Sequence, residues 1–448
     1  MKLYCEKILD CRRLYKLAAC WASSNYALFT SRSAISFAHN ENPRKKQLNS
    51  ILHEDRKNHP MRNLDWWICL ISISVGIVAA VTWWWNRTSL WEDEVIALTH
   101  ANQPLPLFFI EVLRNDIHPP IYFLQLKAWI ALGLDTDAGV LLNSVFWAVI
   151  TLVTLYKIAK KFYGEKAAWY TCAIYAALPI FAFGAGNLRM YSMVPALAVF
   201  TWYANRMWFK EHEKKWLASA ILLEILLAYV HAIEFYFVAF FAFAALCDEL
   251  WNRRKDGLEN SNKSIFSWFA WQTAAALMIL PLALSALVRG SDASVPAGLL
   301  EMLSEPGALI AGWGPGSIFW FRLSGLVIFC LLATIAIRFP ATRVQTLIIP
   351  IGALLVAILI SIAIKPMLKT PVFASNLLPF LALGAGAGVA GLSVTWARTS
   401  AAVCLAVLCA AAIPLVYLQT PKNSFAGTAA FLLKNAKAGD VVVVPNVS

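Results

Sequence analysis

Glu92, Asp93 and Glu94 follow one another directly after Trp91, in a loop that closes on Asn115-Asp116-Ile117-His118-Pro119-Pro120. A carboxylate at a water–lipid boundary is partly desolvated, which raises its pKa and makes it a better general base near neutral pH. Adjacent acids repel and lift one pKa, so the triplet could supply such a base. The same triplet also suits an acidic loop anchored at the interface by Trp91. Asp116 suits two tasks beside His118: orienting the imidazole, or joining it on a divalent metal, which the residues leave open. Farther along, Glu224 and His231 lie seven residues apart. That is two turns of a continuous helix, so the two would share one face. An acid inside an apolar stretch is costly and points to a cavity or a buried pair.

Membrane helices have to position these residues. The chain has 448 residues, is 59% hydrophobic and 14% charged, and has a mean hydropathy of +0.61. A soluble chain is roughly 45–50% apolar and about a quarter charged. The apolar residues come in runs of about 20, enough to cross a hydrocarbon core about 30 Å thick. These values exclude a soluble enzyme, a nucleic-acid-binding module and a disordered scaffold. They indicate an all-α polytopic membrane protein. None of the nine cysteines forms a CxxC pair, so there is no zinc or redox signature and no structural disulfide is expected. No internal repeat of the kind that transporters favour is evident.

Residues 1–63 are polar and basic, with 12 Lys/Arg against 5 Asp/Glu, and read either as a cytosolic tail or as a segment upstream of a true start at Met61. Hydrophobic stretches follow at 64–85, 118–134, 138–156, 167–186, 192–209, 216–230, 231–247, 264–288, 317–337, 344–364, 376–396 and 399–418, with long connections at 86–117 and 289–316. The membrane core is expected over 64–418. The tail 419–448 has the pattern of a small domain cut short. Of 38 Lys and Arg, 27 fall in the N-terminal tail, 157–166, 206–215, 251–263, 338–343 and Arg398. Basic connections face the cytoplasm, and these share one side only if 118–156 makes one net crossing. The 118–134 stretch is short and carries Gln125 and Lys127, so eleven crossings are expected rather than twelve. The net charge of +12 then reads as an orientation signal, with Asp93 on the slightly acidic outer side. Residues 105–114 suit an amphipathic helix lying in the interface.

Leu90-Trp91-Glu92-Asp93-Glu94 followed by His118-Pro119-Pro120-Ile121-Tyr122 resembles the first loop of the GT-C membrane glycosyltransferases. The nearest likeness is to the bacterial branch of the protein O-mannosyltransferase family, which includes the lipid A aminoarabinose and galacturonic acid transferases. Leu141-Leu142-Asn143-Ser144, Leu188-Arg189-Met190-Tyr191, Tyr229-Val230-His231, Asn376-Leu377-Leu378-Pro379-Phe380 and Ala438-Gly439-Asp440-Val441-Val442 extend the resemblance in order. The chain departs from the family pattern at Asn187, where relatives often have Glu, and at Leu141 and Ser375, where they often have Arg.

The resemblance implies a GT-C bundle of about 11–12 transmembrane helices with a long first outer loop. It implies an inverting hexosyl- or pentosyltransferase of the bacterial cytoplasmic (inner) membrane, with its site facing outward. The donor would be a polyprenyl-phosphate sugar; the acceptor would be a lipid, a cell-envelope glycan such as lipopolysaccharide, or a protein. Asp93 and Glu94 would be catalytic. Arg189, Tyr191, His118, His231, Lys365 and Lys369 would bind substrate or the leaving phosphate. No cofactor is certain, and a divalent metal at Asp116 and His118 stays open. A lipid-linked sugar flippase and a non-catalytic GT-C relative are the competing readings; none involves nucleic acid.

Overall fold

The structure, a computed structural model, describes residues 61, 63–85, 90–115, 118–256, 262–289, 305–311, 319–363, 375–392, 394–419 and 431–437, all within the unit Pro60–Ser448. Among these the chain is helical throughout. The first helices are α1 (Asn63–Trp85), α2 (Glu92–Asn102), α3 (Leu105–Asn115), α4 (Ile121–Ala131), α5 (Asp137–Tyr163), α6 (Glu165–Ala177) and α7 (Pro179–Ala185). They are followed by α8 (Met193–Glu211), α9 (Lys214–Ala228), α10 (Glu234–Asp256), α11 (Asn262–Arg289), α12 (Glu305–Ala311) and α13 (Phe319–Arg338). The order closes with α14 (Pro340–Thr346), a π-helical stretch Leu347–Ala353, α15 (Leu354–Ala363), α16 (Leu378–Ala390) and α17 (Thr395–Gln419).

Each expected hydrophobic stretch contains helix, but length alone does not make every one a crossing. Among the described residues four helical segments are long and apolar enough: α1, α5, Ser264–Ser285 of α11, and Pro340–Ile362 running from α14 into α15. The α6–α7 pair would make a fifth. By length and composition alone, the described residues thus supply four or five of the expected eleven to twelve crossings. The 167–186 stretch is broken: it is two helices bent by 71°. Pro179 drives Leu178 out of the helical conformation (ψ 134°) and then starts α7 from its first turn, the position where proline is tolerated. α4 has 11 residues, about 16 Å at helical rise, while α5 has 27. Residues 118–163 therefore contain one helix of crossing length.

The first loop is more ordered than its polarity suggests. It holds α2 and α3, and among the described side chains of α3 Phe108 and Val112 are buried while Leu107, Phe109 and Ile110 stay exposed. Lys127 explains its own presence in an apolar helix. Its Nζ donates to the carbonyls of Ala101 (3.0 Å) and Gln103 (2.7 Å), acceptors that a helix C-terminus leaves unpaired.

Charged groups gather at one end of the bundle. Arg398 of α17 bonds Asp65 of α1 at 3.0 Å, and both are buried. Lys166 of α6 lies within electrostatic range of both. Close by in sequence, the Tyr163 hydroxyl accepts from Arg206 (3.0 Å) and donates to Gln345 (3.0 Å), and Arg206 lies 3.5 Å from Asp248. Residues from several Lys- and Arg-rich connections thus share this end. The other end of α1 packs on α7 and on Gly186 just after it. Trp83 meets Phe183 edge-on at 5.9 Å, and Gly186 is required there because a Cβ would sit 2.2 Å from the Trp83 ring.

Candidate active site

The acidic triplet forms the first turn of α2, with Trp91 as the residue capping its start. Neighbouring helix positions do not face each other, and the acids separate accordingly. Glu94 is fully buried; its carboxylate accepts from the backbone N–H of Trp91 (3.0 Å) and from that of Leu188 (2.8 Å). It both caps the N-terminus of α2 through the Trp91 N–H and ties this helix to the segment carrying Arg189. Glu94 is therefore engaged in positioning, and the expected sharing of one site by two adjacent acids does not occur. Asp93 retains 39% of its side-chain exposure. The Glu92 side chain lies outside the described residues.

Arg189 is the centre of the arrangement. Its side chain is only 4% exposed, and its guanidinium lies 3.8 Å from the Asp93 carboxylate. One Nη donates to the Asp93 carbonyl at 3.1 Å, and the other is 2.9 Å from His118 Nε2. An arginine cannot lose its proton here, so Nε2 must accept and His118 is neutral with its proton on Nδ1. Burial and the Arg189 charge push the His118 imidazole well below its ordinary value of 6.5. Tyr191 lies within electrostatic range of Arg189. His118 stacks on His231 with ring centres 5.4 Å apart and planes 22° apart. Tyr191 meets the same His231 ring edge-on at 6.4 Å.

Local chain geometry explains this convergence. Pro119 and Pro120 stop any helix before Ile121, and the Ile121 N–H then donates to the Tyr229 carbonyl at 3.1 Å. This pins the α4 entrance to the α9–α10 turn and brings His118 over His231. The Ser144 hydroxyl donates to the Asn187 carbonyl, and the Asn187 amide donates to the Phe183 carbonyl. Both bonds hold the segment that presents Arg189.

Asp93, His118, Arg189, Tyr191 and His231 are thus brought together, with Glu94 behind them. Lys365, Lys369 and Asp116 lie outside the described residues. Among the described residues no cluster of three His, Cys, Asp or Glu is placed to hold a metal. The expected pairing of Glu224 with His231 is corrected: α9 ends at Ala228, so helical spacing does not carry through to His231. Glu224 instead accepts from Asn205 (2.7 Å) and Gln272 (2.9 Å). One residue escaped the sequence reading, and its partner Asn376 was named only as part of a motif. Glu234 is fully buried 3.8 Å from His231 Nδ1, and it accepts from the Asn376 amide. An acid in the first turn of an apolar helix was the available signal for Glu234.

The neutral, accepting state of His118 predicts a ranking of variants. His118→Gln keeps an acceptor for Arg189 and should leave Arg189-dependent activity within about tenfold of wild type, a cost of about 1.4 kcal/mol. His118→Leu removes the acceptor and should cost more, about 1–3 kcal/mol for a buried donor left unmet. Thermal unfolding of both variants alongside activity checks the order. Equal losses would mean that the ring is needed for something other than accepting from Arg189.

The crystal structure of ArnT from Cupriavidus metallidurans bound to undecaprenyl phosphate is similar at a TM-score of 0.49 and 14% identity, over 74% of this chain and 61% of that one. The archaeal oligosaccharyltransferase AglB from Archaeoglobus fulgidus, in complex with an inhibitory peptide and a dolichol-phosphate, is similar at a TM-score of 0.46 and 12% identity, over 84% of this chain and 58% of that one. The chain therefore spans about three-fifths of the length of these structures. No curated protein sequence matches it. The profile of the family described as dolichyl-phosphate-mannose-protein mannosyltransferase matches residues 117–283, a segment holding His118, Arg189, Tyr191 and His231 but not Asp93. Across that segment the chain is similar to the mannosyltransferase family, the family that its motifs resemble.

Proposed function

We propose that this integral membrane protein transfers a sugar from a polyprenyl-phosphate donor to a hydroxyl-bearing acceptor. The observation that carries the reading is the buried Arg189 held between Asp93 and His118. Asp93, the half-exposed member, takes the proton of the acceptor hydroxyl as its oxygen bonds to the anomeric carbon. The bond from that carbon to the donor phosphate oxygen breaks, and its electron pair leaves with the phosphate. Sugar transfer passes through an oxocarbenium-like state, so attack opposite the leaving group inverts the centre. The departing phosphate gains charge, and a fixed cation such as Arg189 stabilises that charge where water is scarce. His118 and the Asp93 carbonyl hold the guanidinium in place.

In this reading residues 64–418 form the transferase core and the basic end of the bundle faces the cytoplasm. The Asp93–Arg189 end faces outward across the cytoplasmic membrane, and residues 419–448 lie on that outer side. The acceptor is a glycolipid, glycan or protein of the cell envelope.

Asp93→Asn tests the proposal. It keeps the shape of the side chain and removes its basicity. Membranes containing the variant should insert it normally and lose transfer by roughly a hundredfold or more, the scale of general-base catalysis. Mass spectrometry of envelope glycolipids and glycoproteins with and without the protein reads the outcome. Unchanged transfer would sink the assignment of Asp93, and an unchanged glycan profile on removing the protein would favour a non-catalytic role.

A further inference from the structure

Glu234 is an acid that the chemistry above does not use. It stands in the first turn of α10 and is fully buried. A carboxyl in such a place is costly unless polar neighbours hold it. Among the described residues the only basic side chain in ion-pair range is His231, whose Nδ1 lies 3.8 Å from Oε1. The other oxygen, Oε2, accepts from the amide of Asn376 at 2.5 Å, and Asn376 is fully buried as well. Oε1 accepts no hydrogen bond among the described residues. The segment leading into α16 thus holds the carboxyl from one side and leaves its second oxygen for the imidazole.

The turn between α9 and α10 fixes where this pair sits. The Glu234 N–H donates to the His231 carbonyl at 3.0 Å, and the Tyr229 carbonyl accepts from Ile121 at 3.1 Å. These bonds hold the main chain around His231 but do not set its ring. An imidazole turned over about its last side-chain bond keeps its shape and exchanges Nδ1 for a carbon. Only polar neighbours distinguish the two orientations. The Glu234 oxygen marks the Nδ1 edge, and an approach of about 1 Å turns the contact into a hydrogen bond. On its face, the His231 ring stacks on His118 with centres 5.4 Å apart and planes 22° apart. His118 Nε2 in turn lies 2.9 Å from the Arg189 guanidinium. Polar and stacking contacts therefore run without a break from Asn376 through Glu234, His231 and His118 to Arg189.

We propose that Glu234 is a positioning residue for this site: it fixes the orientation of the His231 ring, and so keeps the stacked His118 aimed at Arg189. It acts through His231 and not on the reacting groups. Asn376, which opens one of the sequence motifs, has the task of holding the Glu234 carboxyl. The effect on sugar transfer rests on the reading of Arg189 given above; the effect on the rings does not.

Full-length protein carrying isotope-labelled histidine, in lipid bilayers, tests the inference by solid-state NMR. His118→Gln and His231→Gln assign the two rings by the signals they remove. Wild type should show one set of His231 ring nitrogens. Glu234→Met keeps the length of the side chain without its oxygens. It should shift or double the His231 signals, perturb those of His118, and lower transfer by about tenfold or more, the scale of a misplaced supporting group. Glu234→Gln keeps a polar atom at both oxygen positions and should restore a single set of signals and most of the transfer. In a His118→Gln background, where no ring is left to stack, Glu234→Met should cost less than about twofold further, the non-additivity expected of coupled residues. Asn376→Leu frees the carboxyl from its far side and should disturb the same His231 signals; it decides if Glu234→Met does not insert. Unchanged histidine signals in Glu234→Met and Asn376→Leu, or an equal loss of transfer with and without His118, would overturn the proposal. Absence of transfer in the wild type would overturn the reading of the function, and the histidine signals would still judge Glu234.

Discussion

Replacing Arg189 by methionine should lower sugar transfer by about a hundred- to a thousandfold, the loss seen when one preorganised charge-stabilising group is removed. Methionine keeps much of the aliphatic volume, so the effect isolates the guanidinium. Arg189→Lys is the informative companion. A lysine brings a single point charge on a flexible stem and cannot match a planar fork that meets two acceptors at once. It would have to choose between the Asp93 carbonyl and His118 Nε2, which the guanidinium reaches at 3.1 and 2.9 Å. Transfer by the lysine variant should therefore lie between wild type and methionine. If Arg189 acts on charge that develops as phosphate leaves, kcat falls and KM for the donor changes little. A rise in KM alone would make it a ground-state phosphate clamp. Transfer that survives in the methionine variant at wild-type rate, in protein of unchanged thermal stability, would remove Arg189 from the chemistry.

Why some of this was legible in the sequence and some was not follows from range. Apolar runs are a local signal, and every one of them contains helix. The shortness of the 118–134 stretch was legible, and the helix it holds has 11 residues, because length is visible within a dozen residues. The 71° break at Leu178 was equally local, and Pro179 announced it, but the run of apolar residues on both sides concealed it. The helix starting at Glu92 was missed because an acidic triplet after tryptophan reads as loop; the acid at its third position, which accepts from the Trp91 N–H, was the sign of a helix start. Arg189 and His118 are 71 positions apart, and Glu234 and Asn376 are 142 apart. No spacing rule reaches so far. Arg189, His118, Tyr191 and His231 were named because each stands in a motif, yet their meeting depends on the Ile121–Tyr229 and Glu94–Leu188 bonds, which are made by backbone groups and leave no mark in residue type.

Arg398→Met should destabilise the folded protein by about 3–5 kcal/mol, since removing one partner of a buried ion pair strands the other. Asp65 would remain fully buried, with the Thr399 hydroxyl at 3.2 Å as a hydrogen-bond donor. Its place in the first turn of α1 offsets part of the loss, but a helix dipole contributes only about 0.3–1 kcal/mol in most settings. The dipole cannot replace a guanidinium. Asp65→Leu alone should also be costly, because it leaves Arg398 buried beside Lys166 and among three positive helix ends. The double variant Asp65→Leu with Arg398→Met removes both charges and should return close to wild type, as buried pairs replaced by apolar residues of similar volume commonly do. Unfolding of the four proteins in mixed micelles measures the coupling. Single losses below about 1 kcal/mol would place the pair in the class of solvent-screened surface bridges, and water would then reach Asp65. A large loss in each single variant with recovery in the double would show that the pair sets which helices meet at this end, at little net gain in stability.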